Sequence, residues 1–178
     1  KLYGPRGGSS FRAHWILTEL GLSYETKSID FAAGDLHKPE FLALNPAGQV
    51  PVLVHDDFVL PESAAIVHYL AEKYNPALLG STPELRATGQ RWELFVVLNL
   101  QRYFYPFAKK TWGSAATQDE LDEAQKSLDR YLPIFEGWLS AHRNIIGDIF
   151  TTADIVGRSA FMYAEMGECD LLKYPHIM

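Results

Sequence analysis

The 178-residue chain holds a single cysteine, Cys169. No internal disulfide can form, which fits a reducing compartment, and a cytoplasmic location is expected. No apolar run approaches the ~20 residues that cross a bilayer as a helix, so no membrane partner is expected, and no signal-peptide pattern is visible. Positive charge is scarce. Lys and Arg number 16 against 22 Asp and Glu, a net charge of −6, and the longest basic run is Lys109-Lys110. A nucleic-acid surface is therefore not expected. The six histidines show no ligand spacing such as H-x-x-x-H on a helix, and no metal is expected. Repeats and low-complexity segments are lacking too. The chain opens on Lys1 and stops at "KYPHIM", and further residues are expected at both ends.

What is present divides in two. Residues 1–75 alternate strand and helix signals. "KLYG" opens a strand, and "SSFRAHWILTELGL" carries Ala13, Ile16, Leu17 and Leu20 at helical spacing with Gly21 at the stop. "SYETKSID" alternates as a strand does. "KPEFLALNP" is a short helix, "VPVLVHDDFVL" two strands around an acidic turn, and "ESAAIVHYLAEKY" a helix with Ile66, Val67, Leu70, Ala71 and Tyr74 on one face. The order β-α-β-α-β-β-α predicts a parallel pair joined by a crossover, plus an antiparallel hairpin, in one mixed sheet. Residues 76–82 read as a linker that ends in Thr82 as N-cap and Pro83 at the first helical position. From 83 to 178 the pattern is helical throughout. One long helix is predicted over "ELRATGQRWELFVVLNLQRYFYPF", a second after the capping-box start "TQDE", and a third over "FTTADIVGRSAFMYAE", where Thr151 and Asp154 form a second capping box and Phe150 can staple onto Ile155. The fold class predicted is α/β followed by all-α, the second part incomplete at its C-terminus.

The stretch "NPAGQVPVL", Asn45 to Leu53, sits oddly in this pattern, because Pro51 removes a backbone donor at the entry of a strand. An X-Pro bond can be cis at a cost of roughly 0.5–1 kcal/mol. A cis Val50-Pro51 bond would present the amide and carbonyl of Val50 outward. "PES" then starts a helix, so Glu62 and Ser63 lie where free amides favour an anion.

Taken together, "NPAGQVPVL", "PESAAIVHYLAEKY" and "TTADI", in this order, resemble the cytosolic glutathione transferases over essentially the whole chain, with the class open between bacterial theta-like and chi-like kinds. The resemblance implies a thioredoxin-like N-terminal domain with a mixed four-stranded sheet, a helical C-terminal domain, glutathione as co-substrate, and a homodimer. It also implies a role for Val50 and Pro51 in pairing with the peptide backbone of glutathione. Ser63 would donate to the γ-glutamyl carboxylate and Glu62 would accept from the γ-glutamyl ammonium, although Ser63 can equally cap the helix and Glu62 complement its dipole. Gln49, His37 and Lys38 would hold the carboxylate end; His37 and Lys38 read as solvated loop residues when taken alone.

The family places a Tyr, Ser or Cys at the entry of the first helix. Here the loop "YGPRGGSSFRAHW" offers Ser9 and Ser10, with Tyr3 packing inside the first strand and Arg12 as a helper. Ser9 stands slightly ahead as the catalytic hydroxyl, while serine-using classes place theirs nearer Gly7 and Gly8. Lowering a thiol pKa by about two units takes roughly 2.7 kcal/mol, within the ~1.5–3 kcal/mol of one hydrogen bond to a charged group. With no cysteine in the loop, mixed-disulfide chemistry is not expected. The aromatic span Tyr103, Phe104, Tyr105, Phe107 and Trp112 is a candidate wall for a small apolar electrophile. Conjugation is the leading activity, with glutathione-dependent peroxide reduction or a non-catalytic binding module as alternatives.

Overall fold

The computed structural model describes residues 1–177. The chain forms two compact units, Lys1–Leu78 and Leu79 onward.

The first unit carries the predicted element order. Strand β1 (Leu2–Tyr3) is followed by helix α1 (Ser10–Glu19), β2 (Thr26–Lys27), a 3-10 turn (Asp35–His37), α2 (Pro39–Leu42), β3 (Val52–His55), β4 (Phe58–Pro61) and α3 (Ser63–Tyr74). The sheet runs β2-β1-β3-β4. β1 pairs with β2 in parallel, and with β3 antiparallel in the register Leu2↔Leu53 and Tyr3↔Val52. β3 and β4 form the hairpin, with His55↔Phe58 flanking the Asp56-Asp57 turn.

Local chemistry sets the ends of these elements. Gly21, at φ +63°, stops α1: its amide donates to Thr18 O and the Leu22 amide to Leu17 O. That double bond is the Schellman pattern, which needs a left-handed residue. β2 is far shorter than the predicted eight-residue strand. Asp30 takes the chain out of it, with its carboxylate accepting from the Ala33 amide and its own amide donating to Asp35 Oδ2; an Asx turn replaces the ladder. The core of this unit is Leu2, Ala13, Ile16 and Leu17 against Val52, Leu53, Ile66, Val67, Leu70 and Ala71. Tyr74 departs from the predicted apolar face of α3: it is exposed and stacks on His55.

The second unit is helical: α4 (Pro83–Val96), α5 (Arg102–Ala108), α6 (Gln118–Leu139), α7 (Thr152–Ala160) and α8 (Met162–Met166). The single long helix predicted from residue 84 is interrupted by a π turn at Val97–Gln101, a widened turn that shifts the hydrogen-bond register ahead of Pro106. The predicted third helix likewise breaks at Phe161, whose amide donates to Arg158 O, three residues back. Both predicted capping boxes are present, Thr117 with Glu120 and Thr151 with Asp154. Asp154 also accepts from the Ile145 amide at 2.8 Å, so it ties the preceding loop to α7. The core gathers Trp92, Phe104, Phe135 and Phe161 with Val96, Leu100, Leu128 and Leu132. Its rings interlock edge-on or tilted, as between Trp92 and Phe135 at 5.3 Å and Phe104 and Phe161 at 5.3 Å. Among the described residues no helix is long and apolar enough to cross a membrane.

Candidate glutathione site

The first unit brings three segments together: the entry of α1, the loop before β3, and the N-terminus of α3. The loop is built by Asn45, a residue whose role the sequence reading confined to ending a helix. Its buried side-chain amide donates to Gln49 O at 2.8 Å, its Oδ1 accepts from the Ala47 amide at 3.1 Å, and its carbonyl accepts from the Gly48 amide. Gly48 sits at φ +62°, with a would-be Cβ 3.2 Å from Leu36 O, so the turn requires glycine there. An Asn directly before Pro, two residues from the amide it accepts, is the signal that marks this turn. The Val50–Pro51 peptide is cis. Val50 is half-buried, and its amide donates to no group among the described residues.

Ser9 meets this loop. It stands at the N-cap position of α1 in helical conformation and makes no capping bond. Its Oγ donates instead to Val50 O at 3.2 Å. Ser10 does not share that position. It is 1% exposed, its hydroxyl has no hydrogen-bond partner, and Gly4 is packed so tightly over it that a Cβ there would lie 2.5 Å from Ser10 Oγ. The first residue of α1 faces inward, and of the expected pair only Ser9 bonds to the loop before β3. Tyr3 lies in β1 with its ring against Phe41.

The loop between β1 and α1 is anchored by a histidine the sequence reading passed over. His14 is buried, one turn after Ser10. Its Nδ1 lies 2.8 Å from the Tyr24 hydroxyl and its Nε2 3.3 Å from Gly4 O. A neutral ring that donates from Nε2 to Gly4 and accepts at Nδ1 from Tyr24 satisfies both contacts. Burial, with the nearby Arg6 charge as a smaller cause, holds its pKa below the ordinary value. A polar residue among Ala13, Ile16 and Leu17 on the inward face was the available clue.

At α3 the geometry separates two roles that the sequence left joined. Ser63 is the first helical residue, only 7% exposed, and α3 has no side-chain cap. Its Oγ accepts a hydrogen bond from Arg12 Nη1 at 3.2 Å. Glu62 is exposed at φ +70°, ψ +110°, a conformation that costs a non-glycine residue about 1–3 kcal/mol and gathers at binding sites. The first amides of α3 are left uncapped for an anion.

The remaining expectations divide. His37 lies beside the loop, 3.7 Å from the would-be Cβ of Gly48, and Gln49 is exposed. Lys38 is held by Asp35 at 2.6 Å, which raises its pKa, and it lines a cavity of about 320 Å³ with Tyr3, Ser28 and Phe41. In the second unit Phe104 is fully buried in the core against Phe161, so it packs the helices and forms no pocket wall. Tyr103 is half-buried and stacks on Tyr131, and Phe107 packs against Gly167. Trp112 is exposed and clusters with Tyr105 and Tyr163. Cys169 is half-buried, and burial pushes its thiol up to about 11, so it is a poor nucleophile. No group of three or more metal-ligating side chains occurs among the described residues.

A thioredoxin-like domain with a proline-turned loop facing an uncapped helix N-terminus, followed by a helical unit, defines the class. Residues 1–72 match the family model of the glutathione S-transferase N-terminal domain, and residues 97–178 that of its C-terminal domain. The chain belongs to the glutathione S-transferase family. It is similar to glutathione S-transferase F10 of Arabidopsis thaliana, with 33% identity over 97% of this chain and 85% of the relative. With glutathione S-transferase 3 of Zea mays the identity is 35%, over 86% of this chain and 73% of the relative. Among solved structures, glutathione transferase F7 from Populus trichocarpa superposes with a TM-score of 0.88 at 27% identity, covering 99% of this chain and 88% of that one. Maize glutathione S-transferase I, solved with an atrazine glutathione conjugate, gives 0.84 at 30% identity, covering 99% and 87%.

Proposed function

We propose that the protein binds glutathione in its first unit and transfers its thiolate to small apolar electrophiles. The observation that carries this is the 3.2 Å hydrogen bond from Ser9 Oγ to Val50 O. It puts the one accessible hydroxyl of the α1 entry beside the backbone that would pair with the cysteinyl residue of the tripeptide. The γ-glutamyl carboxylate would lie at the N-terminus of α3 over Ser63, with its ammonium toward Glu62, and Gln49 and His37 would attend the glycine end. The relatives' names, and a maize structure holding a glutathione conjugate, support the same reading.

The mechanism needs little from the chain. Ser9 gives up Val50 O and donates to the sulfur, with the electrostatic pull of α1's N-terminus behind it. One such bond is worth about 1.5–3 kcal/mol to a thiolate, enough to bring a pKa near 8.5 down by about one to two units. The proton leaves to solvent. The sulfur pair then attacks the electrophilic carbon, the C–S bond forms, and the leaving group departs with its bonding pair. Trp112, Tyr103 and Phe107 are the residues proposed to receive the electrophile.

Two copies are expected to pair. Leu94 and Leu98 stand 61% and 55% exposed, four residues apart on the α4 side of the helical unit, an apolar pair that association would cover. A cytoplasmic location is proposed, and the use of glutathione and the lone cysteine support it. The test is retention on immobilised glutathione at neutral pH, followed by turnover of 1-chloro-2,4-dinitrobenzene. Retention with turnover is expected. A folded protein that does not bind glutathione overturns the proposal; one that binds but does not turn over leaves only a binding module.

A further inference from the structure

The stretch Gly4-Pro5-Arg6-Gly7-Gly8 carries Ser9 from β1 to α1, and three of its five residues are glycine. Glycine holds a loop conformation poorly, because it has the most freedom to lose. Packing does not make up for it: Pro5 and Arg6 are exposed, and a Cβ added at Gly7 would meet nothing within 4 Å. The stretch is tied at its two ends. Downstream the tie is Ser9 Oγ to Val50 O, the bond that the proposed mechanism gives up when the hydroxyl turns to the sulfur. Upstream it is Gly4 O, which accepts from His14 Nε2 at 3.3 Å, while the Gly4 amide reaches Lys27 O only at 3.5 Å. Gly4 is wedged between Ser10 and Val50, the neighbours of the Ser9 bond. A Cβ on it would lie 2.5 Å from Ser10 Oγ and 3.3 Å from Val50 Cβ. A displacement of Gly4 therefore passes directly to the first turn of α1 and to the residue whose carbonyl Ser9 meets.

We infer that His14 is a positioning residue for the thiolate-stabilising hydroxyl: its hydrogen bond to Gly4 O holds the β1–α1 loop, and with it Ser9, in place when Ser9 leaves Val50. The inference rests on the glutathione reading above and adds to it a residue that touches no substrate. His14 is 3% exposed, and both its ring nitrogens are engaged inside the chain. A neutral imidazole donates from one nitrogen only. The Tyr24 hydroxyl, 2.8 Å from Nδ1 and in the connection between α1 and β2, donates there and leaves the proton on Nε2, facing Gly4. Tyr24 thus sets the tautomer, since the bond made at one ring nitrogen decides the state of the other. An apolar residue at position 14 would fill the same space beside Ala13 and Leu17 but leave the Gly4 carbonyl unheld. The contacts proposed to bind the tripeptide come from Val50 and the start of α3, on other segments. Losing the tie at Gly4 therefore falls on the chemical step, where a small misplacement of a reacting group is costly.

The test is a double-mutant cycle with Ser9→Ala, read by conjugation of 1-chloro-2,4-dinitrobenzene at saturating substrates and by calorimetric glutathione binding. His14→Leu should lower kcat about tenfold and change glutathione affinity less than about twofold. Its pH–rate profile should shift as that of Ser9→Ala does, the apparent thiol pKa moving toward about 8.5. In the Ser9→Ala background His14→Leu should change kcat less than about twofold, because no hydroxyl is left to position. Tyr24→Phe keeps the ring and releases its tautomer; a fall of about threefold in kcat is expected, again absent without the Ser9 hydroxyl. Equal losses in the two backgrounds overturn the inference, as does an unshifted pH–rate profile or an affinity that falls with the rate. So does a folded His14→Leu with full activity. If His14→Leu does not fold, Tyr24→Phe carries the cycle under the same criteria; if neither folds, His14 is a scaffold residue and the inference fails. Wild type that binds no glutathione refutes the underlying reading. A Ser9→Ala protein with the full rate removes the hydroxyl assignment and the inference together. Binding and turnover that depend on Ser9, with an additive cycle, refute only the role of His14.

Discussion

The two units bury different things. Lys1–Leu78 buries Ser10, Arg12, His14, Asn45 and Ser63, five polar side chains placed on or beside loops. The helical unit fills its interior with Trp92, Phe104, Phe135 and Phe161, and its buried polar side chains, Glu93, Thr151, Thr152 and Ser159, all lie on or at the start of helices. Burying a polar group costs stability unless it is partnered, so a small domain that does it repeatedly is constrained by something other than compactness. In the first unit those groups fix three chain segments around one exposed backbone. In the second, Thr151 and Ser159 bond at and within α7. Substitutions at the groups that shape the Val50 loop and the start of α3 should therefore cost ligand binding, and those at the α7 cap should cost stability.

The largest expected effect is on stability, in the helical unit. Asp154 accepts from the amides of Ile145 and Thr151 and from the Thr151 hydroxyl. Asp154→Ala leaves the Ile145 and Thr151 amides and the Thr151 hydroxyl without their acceptor and removes the cap, a loss of about 3 kcal/mol. Thermal unfolding should register it as a midpoint lower by roughly 6–12 °C. Glutathione affinity of the protein still folded at low temperature should be unchanged. If affinity falls instead, the division between the units is wrong.

Next comes Ser9→Ala. It removes the hydroxyl bonded to Val50 O and touches no core residue. The conjugation rate at saturating glutathione should fall about tenfold to a hundredfold, with the thermal midpoint unmoved. A pH–rate profile sharpens this. The apparent pKa of bound glutathione should rise toward the free-thiol value of about 8.5, so part of the lost rate should return at high pH. A rate that stays low at every pH would assign Ser9 a role other than stabilising the thiolate.

How much of this was legible in the sequence follows the same division. Strand and helix order in the first unit came through periodicity and punctuation, and the capping boxes through side-chain chemistry that acts over three residues. The π turn at Val97–Gln101 did not, because its apolar residues continue the helical spacing and the register shift leaves no local mark. β2 was overread because alternation in "SYETKSID" says nothing of Asp30, whose side chain ends the strand. In the site, Glu62 and Ser63 were legible as a pair at a helix start. Which atom Ser63 serves was not, since the deciding partner, Arg12, is 51 residues away. Phe104 and Trp112 look alike as letters, and only packing separates a core ring from an exposed one.

A smaller effect should appear at His14. In the unfolded chain its imidazole titrates near 6.5; in the folded protein burial holds the value lower. Between the two values the unfolded chain binds a proton that the folded chain refuses, so this stability is present above pH 6.5 and is lost as pH falls through the window beneath. His14→Gln removes the titration. Its unfolding free energy should be lower at pH 7, through the lost ties to Gly4 and Tyr24, but should fall less steeply from pH 6.5 to 5. Denaturant titrations at a series of pH values compare the slopes, and equal slopes would show that burial does not shift the His14 pKa on folding.

The smallest effect, and the one that separates adjacent residues most cleanly, belongs to Ser10. Its hydroxyl is buried under Gly4 without a hydrogen-bond partner, and an unsatisfied buried polar group carries a desolvation cost of about 1–3 kcal/mol. Ser10→Ala deletes the group and leaves a gap of one atom, whose lost packing offsets part of the gain. The net expectation is a protein about 1 kcal/mol more stable with conjugation kinetics unchanged. Ser9→Ala, one position earlier, should do the reverse. A Ser10→Ala enzyme that loses activity while Ser9→Ala keeps it would move the catalytic hydroxyl inward, and would require the Gly4 backbone to swing away from α1 when glutathione binds.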